Sequence, residues 1–322
     1  MRTVKKVVLF LAVTSICLSC NEGNSTGSKD TIVTTHYNIH FVPDLSNRVD
    51  KKSLKPGSIH DTVIFNEFID LYVPLIYPHR RRIQQKDILQ LTRISSENSV
   101  QGPNIVSLKS FEFDQGSRIR YVRDSSQGLI NDLSELKLTI ARTYESRNSR
   151  HTWSGDITSL LQNSITNLNT ITDTINSSND EANFIEVYDN IIVLLTDGYI
   201  EYGSYSEEFR NRFYHLDSRV INKIRGLCRE SNMNPSQVLE MNDMGLVPVE
   251  NPLLKHYKFV VLEFDDRSLS KSGSATIRPT DFEITTAVWK KWFEECGIRQ
   301  YAFYPIGASS AGEIIKQQIL AN

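Results

Sequence analysis

Two continuous apolar runs, each followed by an acidic turn, are the clearest pattern along the chain. The first covers residues 37–42 and leads into Asp44, and the second covers residues 190–195 and leads into Asp197. An uninterrupted apolar run of this length predicts a strand that is buried on both faces, as in a parallel sheet covered by helices. We therefore expect two buried strands, each with an aspartate at its carboxyl end.

Strands and helices are predicted to alternate along the rest of the chain. Apolar residues at helical spacing predict helices over residues 60–76, 125–144, 156–175, 207–230, 280–296 and 311–320. Further strands are predicted over residues 87–94, 104–113, 258–264 and 301–305. Residues 176–181 indicate a loop, and residues 231–255 a long irregular segment. The alternation favours a Rossmann-like three-layer α/β sandwich, with a mostly parallel central sheet and helices on both faces.

Local signals predict where some helices begin and end. Asp61 or Thr62 is a candidate cap for the first helix, and Pro74 should end or kink its last turn. Near the C-terminus, Ser310 and Glu313 have the spacing of a capping box, which we prefer to a phosphate-binding turn.

The first twenty residues predict an export signal. A basic start is followed by a short apolar core over residues 7–13 and then by Cys20. This core is too short for a permanent transmembrane helix, which favours a cleaved signal over residues 1–19. The pattern ending at Cys20 resembles a bacterial lipoprotein signal, in which this cysteine becomes the lipidated first residue; an ordinary secretory signal cut nearby is the alternative. Residues 20–30 are then a flexible tether, and residues 31–322 one globular domain.

Composition and charge narrow the classes of partner. A hydrophobic content of 39% and a charged content of 23% are typical of a globular protein. The formal net charge is −2 and the chain has no long basic run, so we expect no nucleic-acid partner. Cys228 and Cys296 lie in helix-like segments, where buried thiols are expected, and no CxxC motif or histidine cluster suggests zinc.

The two acidic turns are the candidate site. In open α/β sheets the ligand binds beyond the carboxyl ends of neighbouring strands, where the strand order reverses, so we expect Asp44 and Asp197 to meet there. Asp44 and Ser46, at alternate positions of one turn, offer oxygen ligands of the kind that Mg²⁺ prefers. An Asp-x-Ser turn is also common as a purely structural Asx turn.

The sequence Asp-Leu-Ser-Asn-Arg at residues 44–48, with Thr-Asp-Gly at residues 196–198, resembles a von Willebrand factor A-type (vWA) domain. That family has a Rossmann-like sheet and a metal-ion-dependent adhesion site made of Asp-x-Ser-x-Ser, a distant Thr and a distant Asp. The resemblance covers roughly residues 37–320 in the order of elements. It implies that Asp44 and Ser46 ligate Mg²⁺ directly, and that Asp197 does so directly or through water.

Two departures from the family pattern bear on the metal. Arg48 stands where the second Ser is expected, and its guanidinium cannot ligate a metal but could pair with Asp44 or Asp197 and take the place of the cation. Gly155 stands at the position of the distant Thr. Asp156 is a substitute ligand beside it, and a plain helix N-cap is the equally plausible alternative.

Together these observations predict a lipid-anchored protein of the bacterial cell envelope, held in the outer membrane through lipidated Cys20. Its vWA-like module is expected to bind a protein or glycan partner at the carboxyl-end edge of the sheet, with Mg²⁺ as the cofactor. The alternative is a hydrolase or phosphotransferase that uses Asp44. The sequence has no GxSxG elbow and no phosphate-binding GxxxxGK[ST] loop, and His40 is expected in the core, so we favour a binding module over an enzyme.

Overall fold

A seven-stranded mixed sheet forms the centre of the protein. The computed structural model describes residues 29–45, 58–79, 85–92, 103–148, 156–201, 208–209, 211–270, 272–307 and 310–321. The strands of these ranges are β1 (Asp30–Pro43), β2 (Ile88–Leu91), β3 (Ile105–Ser107), β4 (Ile175–Ser178), β5 (Ala182–Leu195), β6 (Glu208–Phe209), β7 (Arg212–Phe213), β8 (Gly245–Leu246), β9 (Tyr257–Phe264) and β10 (Gln300–Pro305). Strands β6, β7 and β8 form a separate small sheet.

The large sheet has the order β10-β9-β5-β1-β2-β3. All neighbours from β10 to β2 are parallel, whereas β3 is antiparallel to β2 and β4 pairs antiparallel with the first half of β5. The pair β1 and β5 is the longest, since it stays in register from Asp30↔Ala182 to Pro43↔Leu195. The chain leaves β1 for β2 on one side and later returns to β5 on the other, so the order of strands reverses between β1 and β5.

Helices cover both faces of this sheet. They are α1 (Asp61–Leu71), α2 (Gln115–Arg123), α3 (Leu129–Asn148), α4 (Ile157–Ser159), α5 (Ser218–Ser231), α6 (Pro235–Met241), α7 (Asp281–Glu295) and α8 (Ala311–Leu320). Short π-helical turns follow α1 and α4 at Tyr72–Ile76 and Leu160–Ser164, and 3₁₀ turns lie at Lys109–Phe111 and Leu254–His256.

Each face of the sheet has its own buried core, because successive strand residues point to opposite sides. On one face, Ile39 and Phe41 of β1 share a core with residues of α1, α3 and α8. On the other, Ile192 and Leu194 of β5 share a core with residues of α5, α6 and α7, including the fully buried Trp289. The prediction of an α/β sandwich with a mostly parallel sheet between helices is confirmed.

Helix ends agree only in part with the local sequence signals. The regular part of α1 ends at Leu71, and Pro74 lies in the following π-helical turn, as expected for a residue without an amide hydrogen. The cap of α1 is neither Asp61 nor Thr62 but His60, whose ring accepts a hydrogen bond from the amide of Thr62.

The predicted capping box at the start of α8 is wrong. Ser310 adopts a left-handed conformation with φ of 54°, and its side chain makes no capping hydrogen bond. A serine needs an extended backbone to cap a helix, so its spacing from Glu313 was a weak signal.

Three segments differ from their predicted elements because tertiary pairing overrides a weak local pattern. The helix predicted over 156–175 ends at Ser164, and the predicted loop that follows contains β4, which pairs with β5. The helix predicted over 207–230 begins only at Ser218, where Asp217 caps it. The strand predicted over 104–113 is confined to β3, and α2 was not predicted.

The segment 231–255 is more regular than predicted. It contains α6 and β8, and α6 starts with a capping box between Asn234 and Gln237 and with Pro235 at its first position. This helix buries only Val238 and Leu239, so it is too short to produce a recognisable apolar period.

Candidate functional site

Asp44 and Asp197 follow neighbouring parallel strands at the same edge of the sheet. The amide of Asp44 donates to the carbonyl oxygen of Leu195 at 2.8 Å, which extends the pairing of β1 and β5 by one residue. The hydroxyl of Thr196 donates to Oδ2 of Asp44 at 2.9 Å, and both side chains are buried. We call this region, built from Asp44, Thr196 and Asp197, the carboxyl edge.

The Thr-Asp-Gly turn after β5 is held by its own hydrogen bonds. The amide of Gly198 donates to the hydroxyl of Thr196 at 3.2 Å, and the amide of Tyr199 donates to Oδ1 of Asp197 at 3.0 Å. Gly198 has φ of +83°, and a Cβ atom added there would lie 2.1 Å from the ring of Phe264. Only glycine fits this turn, which fixes the direction of the Asp197 side chain.

Arg267, which lies three residues after β9, is a charged residue beside the carboxyl edge that sequence reasoning missed. Its Nη2 lies 3.1 Å from Oδ2 of Asp197 and its Nη1 lies 2.5 Å from Oε1 of Glu201, while its Nε lies 3.8 Å from Oδ2 of Asp265. The guanidinium also lies 3.6 Å from the centre of the Tyr199 ring, a cation–π contact. The signal was the sequence Asp-Asp-Arg directly after a buried strand, which ends at the same edge as β1 and β5.

Burial and charge act in opposite directions on Asp197. Removal from water raises the pKa of its carboxyl to about 6, and the nearby charge of Asp44 adds to the rise. The Arg267 guanidinium and the Tyr199 amide work against this rise because both stabilise the carboxylate. Asp197 is therefore a group for which a cation in contact is strongly favourable.

A second layer of charged groups supports Tyr199 from behind. The Tyr199 hydroxyl donates to Oδ2 of Asp281 at 2.5 Å, and Arg225 forms an ion pair with Oδ1 of the same carboxylate. Arg225 also donates through Nε to the carbonyl oxygen of Pro279 at 2.8 Å. These contacts hold the Tyr199 ring in place, and with it the position of the Arg267 guanidinium.

Glu263 ties the loops around the carboxyl edge to β9. It is buried and has φ of 72°, which is rare for a residue with a side chain. Its carboxylate accepts from the amide of Ile59 at 3.2 Å and from the amide of Gly307 at 3.5 Å. The strained backbone thus turns the carboxylate towards chain segments that border the edge.

The remaining predicted site residues are separate from these contacts. Asp156 is the N-cap of α4, and its carboxylate accepts from the amide of Ser159 at 2.9 Å and from the Ser159 hydroxyl at 2.6 Å. These contacts are those of the capping alternative. Ser46, Arg48 and Cys20 lie outside the described residues, as does Gly155.

The oxygen atoms at the carboxyl edge are of the type that ligates a hard cation. Two carboxylates and a hydroxyl group supply only oxygen, which is what Mg²⁺ takes from proteins. Within the described ranges, no group of three or more His, Cys, Asp or Glu side chains is arranged to hold a metal ion. A Mg²⁺ site here would therefore need the hydroxyl of Ser46 and water, as the vWA resemblance implies, and it would share Asp197 with Arg267.

A second polar cluster lies on β1 in the middle of the sheet. His40 is 1% exposed, which confirms the prediction that it is a core residue. Its Nδ1 lies 3.1 Å from the Thr92 hydroxyl and its Nε2 lies 3.1 Å from the carbonyl oxygen of Asn169. Burial lowers the pKa of His40 to about 4, so the ring is neutral at pH 7. We call His40 and its neighbours Asn38 and Asn190 the mid-sheet cluster.

Amide side chains complete the mid-sheet cluster. The side-chain amide of Asn38 donates to Oδ1 of Asn190 at 2.7 Å. Asn190 also accepts from the backbone amide of Ile171 at 3.0 Å and donates to its carbonyl oxygen at 2.8 Å. These neutral, mutually bonded groups fasten the segment after the second π-helical turn onto β5, which is a structural role.

The chain was also compared with known proteins. No protein-family model matches it, and it has no significant match to a curated protein. No helix in the described ranges is long and apolar enough to cross a membrane.

Cys228 and Cys296 are free and buried, as predicted for both thiols.

Proposed function

We propose that the chain is a vWA-like binding module whose carboxyl edge recognises a protein or glycan ligand. The observation that carries this proposal is the position of Asp44, Thr196 and Asp197. They follow β1 and β5, the two strands between which the strand order reverses, and ligands of open α/β sheets bind at such points. Parallel pairing from β10 to β2, with an antiparallel β3 at one end, further supports a Rossmann-like binding module.

Mg²⁺ is the proposed cofactor of this edge. Asp44 and Ser46 would hold it directly and Asp197 directly or through water, with Thr196 orienting the carboxylate of Asp44. When bound, the ion would offer an open coordination position to an acidic group of the ligand. Arg48 is the proposed substitute for the ion if it pairs with Asp44.

The proposed location is the bacterial outer membrane, with lipidated Cys20 as the anchor. This part of the proposal depends on the sequence alone, since Cys20 lies outside the described residues. It predicts that the wild-type protein fractionates with membranes and that Cys20→Ala does not. An unchanged membrane fraction in Cys20→Ala would exclude a lipid anchor at this cysteine.

The Mg²⁺ site is tested by thermal unfolding of the purified protein in EDTA and in excess Mg²⁺. A ligand at a hundred times its dissociation constant adds about 2.7 kcal/mol to the free energy of unfolding, which is a shift of a few degrees. We expect this shift in the wild type and its loss in Asp44→Ala. Asp70→Ala is the matched control, because Asp70 is an exposed aspartate on α1 that pairs with Lys137.

Ligand recognition is tested by binding of the purified protein to immobilised bacterial cell-wall glycans and to isolated envelope proteins, with Mg²⁺ or EDTA. Binding that is retained in Asp70→Ala and lost in Asp44→Ala would support recognition at the carboxyl edge. Equal binding by both variants would place the ligand elsewhere and contradict the proposal.

A hydrolase is the second candidate, and one observation favours it. The pKa of Asp197 is raised to about 6 beside a second carboxylate, and perturbed carboxyl pairs are frequent in acid–base catalysis. This candidate predicts turnover of a generic phosphate or ester substrate, such as p-nitrophenyl phosphate, that Asp44→Ala abolishes. Absence of turnover with such substrates would leave the binding module as the better proposal.

A further inference from the structure

We propose that the first part of β1 pairs with the same segment of a second copy of this chain, as two antiparallel strands related by a two-fold axis between the two Val33 residues. This contact lies at the opposite end of β1 from Asp44, so it is independent of the function proposed for the carboxyl edge. We call its surface, formed by residues 31–35 on the side of β1 away from β5, the open edge.

The open edge is not covered by the part of the chain that the structure describes. β1 pairs with β5 from Asp30 onwards, but β2 joins its other side only at Asn38. The side chains of Ile32 and Val33, on opposite faces of the strand, are 48% and 59% exposed. A strand side with unpaired backbone groups and exposed β-branched residues is a template for another extended chain.

A hydrogen bond farther along β1 shows which backbone groups point to the open edge. The amide of Tyr37 donates to Oδ1 of Asp87, directly before β2, at 2.9 Å. Because the backbone groups of successive strand residues point to alternate sides, the odd-numbered residues of β1 point away from β5. Thr31, Val33 and Thr35 therefore each present an amide and a carbonyl group to the open edge.

A two-fold axis at Val33 pairs all of these backbone groups in one register. Val33 then faces Val33 of the second copy, and Thr31 of each copy faces Thr35 of the other. Each is a hydrogen-bonded pair of an antiparallel ladder, in which the two residues exchange both bonds. Three such pairs of two bonds each give six hydrogen bonds, so an identical chain is complementary to the open edge.

Charge and size also favour a second copy. Residues 31–35 have the sequence Thr-Ile-Val-Thr-Thr, so pairing of two identical strands brings no like charges together. Ile32 of each copy lies across from Thr34 of the other, which covers apolar surface that is exposed in the single chain. Pairing limited to this segment buries less than about 1,200 Å² in total, as in weak and transient complexes. We therefore expect a dimer that dissociates on dilution.

The other edges of the large sheet are less suited to pairing with another strand. β10 has an irregular register after Phe303 and ends in Pro305, and both features interrupt an edge. β3 has only three residues and β4 only four. The first part of β1 is thus the longest regular edge of this sheet among the described residues.

Sedimentation velocity of the purified full-length protein, from about 1 μM to about 1 mM, tests the proposal. Cys17 and Cys20 are replaced by alanine in every protein, so that no lipid anchor contributes to association. Val33→Pro removes the central amide of the open edge and no hydrogen bond to β5, and proline is tolerated where the amide points away from the sheet. We expect a reversible dimer, and a dissociation constant about tenfold or more higher in Val33→Pro, because each copy loses a hydrogen bond.

Val33→Lys and Val63→Lys are a matched pair of variants. Both replace an exposed valine, since Val63 on α1 is 46% exposed. Two lysines at position 33 would face each other across the two-fold axis, so Val33→Lys should also weaken the dimer, whereas Val63→Lys should not. Far-UV circular dichroism checks that each variant is folded, and Val33→Lys carries the test if Val33→Pro does not fold.

Disulfide formation tests the register of the two strands. Ile32→Cys mixed with Thr34→Cys should give a disulfide-linked dimer on a non-reducing gel, because these positions face each other with Cα atoms about 4.5 Å apart. Either variant alone should not, since its two cysteines would lie diagonally at about 7–8 Å. Cys228 and Cys296 are buried and do not compete.

Three results would overturn the proposal. They are a protein that stays monomeric at every concentration, a dimer that Val33→Pro and Val33→Lys leave unchanged, and a disulfide that forms as readily in one cysteine variant alone as in the mixture. Assemblies larger than a dimer would also contradict it, because a two-fold contact closes after two chains. None of these results affects the Mg²⁺ and ligand-binding tests of the carboxyl edge.

Discussion

The mid-sheet cluster lies within β1 and β5 and the carboxyl edge directly follows these two strands, yet the two regions contain different kinds of polar group. The mid-sheet cluster holds two neutral amides that bond to each other and to backbone, and a neutral imidazole whose Nε2 lies within hydrogen-bond distance of a backbone carbonyl oxygen. The carboxyl edge holds two carboxylates, and Arg267 forms an ion pair with one of them. Neutral groups with partners can be buried at little net cost, whereas buried charges are expensive unless a counter-charge or ligand meets them. The first cluster is therefore built for stability, and the second has properties of a binding site.

The largest expected loss of stability comes from a substitution in the mid-sheet cluster. Asn190→Ala leaves both backbone groups of Ile171 and the amide of Asn38 without this partner. Because each lost buried bond costs about 1–3 kcal/mol, we expect the free energy of unfolding to fall by about 4 kcal/mol. Urea unfolding measures this. Asn163→Ala, at an exposed position, is the control and should change stability by less than about 0.5 kcal/mol. A similarly small loss in Asn190→Ala would refute a structural role for the cluster.

The second prediction is that the two regions make opposite contributions to the pH dependence of stability. The pKa of His40 falls from 6.5 to about 4 on folding, so its unfolded form binds a proton first and stability falls as the pH drops from about 6.5 to 4. The pKa of Asp197 rises from 3.8 to about 6, so its folded form binds a proton first and stability rises as the pH drops from about 6 to 4. Each contribution approaches about 3 kcal/mol, and they oppose each other.

Two variants isolate these opposing contributions. Asp197→Asn should lose stability more steeply than the wild type between pH 6.5 and 4, since the opposing contribution of Asp197 is removed. His40→Gln should lose stability less steeply or gain it. Chemical denaturation at several pH values gives the slopes. Identical slopes in wild type and both variants would show that neither group titrates as its burial requires.

A third prediction concerns the turn that directs Asp197. Gly198→Ala and Gly297→Ala both place alanine at a positive φ, of 83° and 84°, which costs about 1–2 kcal/mol. Only at Gly198 does the new Cβ meet another side chain, the Phe264 ring. We therefore expect Gly198→Ala to be less stable than Gly297→Ala by about 2 kcal/mol. Equal losses of stability in the two variants, measured by thermal or urea unfolding, would mean that the Phe264 ring shifts away from the new Cβ atom at no cost.

The last prediction concerns the charge of Asp44 and its effect on the pKa of Asp197. Asp44→Asn keeps an acceptor for the Thr196 hydroxyl and removes the charge that adds to the pKa of Asp197. The pKa of Asp197 should therefore fall, as measured by carboxyl ¹³C chemical shifts. A rise in that pKa would mean that Asp44 does not interact with Asp197 through its negative charge.

The sequence was most informative where one strong pattern acted alone. Mainly apolar runs located β1, β5 and β9, and the long periodic segments located α7 and α8, so the fold class was predictable. The elements that failed, such as β4 and α6, are short and owe their form to a neighbour or a cap. Local patterns do not carry such information.

Only those residues of the candidate site that directly follow a predicted strand could be identified from the sequence. Asp44 and Asp197 follow directly from the rule that parallel strands end at one edge, whereas Arg267 reaches Asp197 from a loop three residues past β9. Its side-chain direction depends on Tyr199 and Glu201, and the contact could not be read from sequence spacing.

The length of β1 separates the N-terminal segment from the carboxyl edge. The strand runs for 14 residues from Asp30 to the carboxyl edge, and at about 3.3 Å per residue this is about 45 Å. Its first residues pair only with β5, while β2 joins at Asn38, so the beginning of β1 extends beyond most of the sheet. The N-terminal segment therefore joins the protein at the opposite end from Asp44. If that segment is anchored to a surface, β1 acts as a spacer that presents the carboxyl edge outward, away from the anchor.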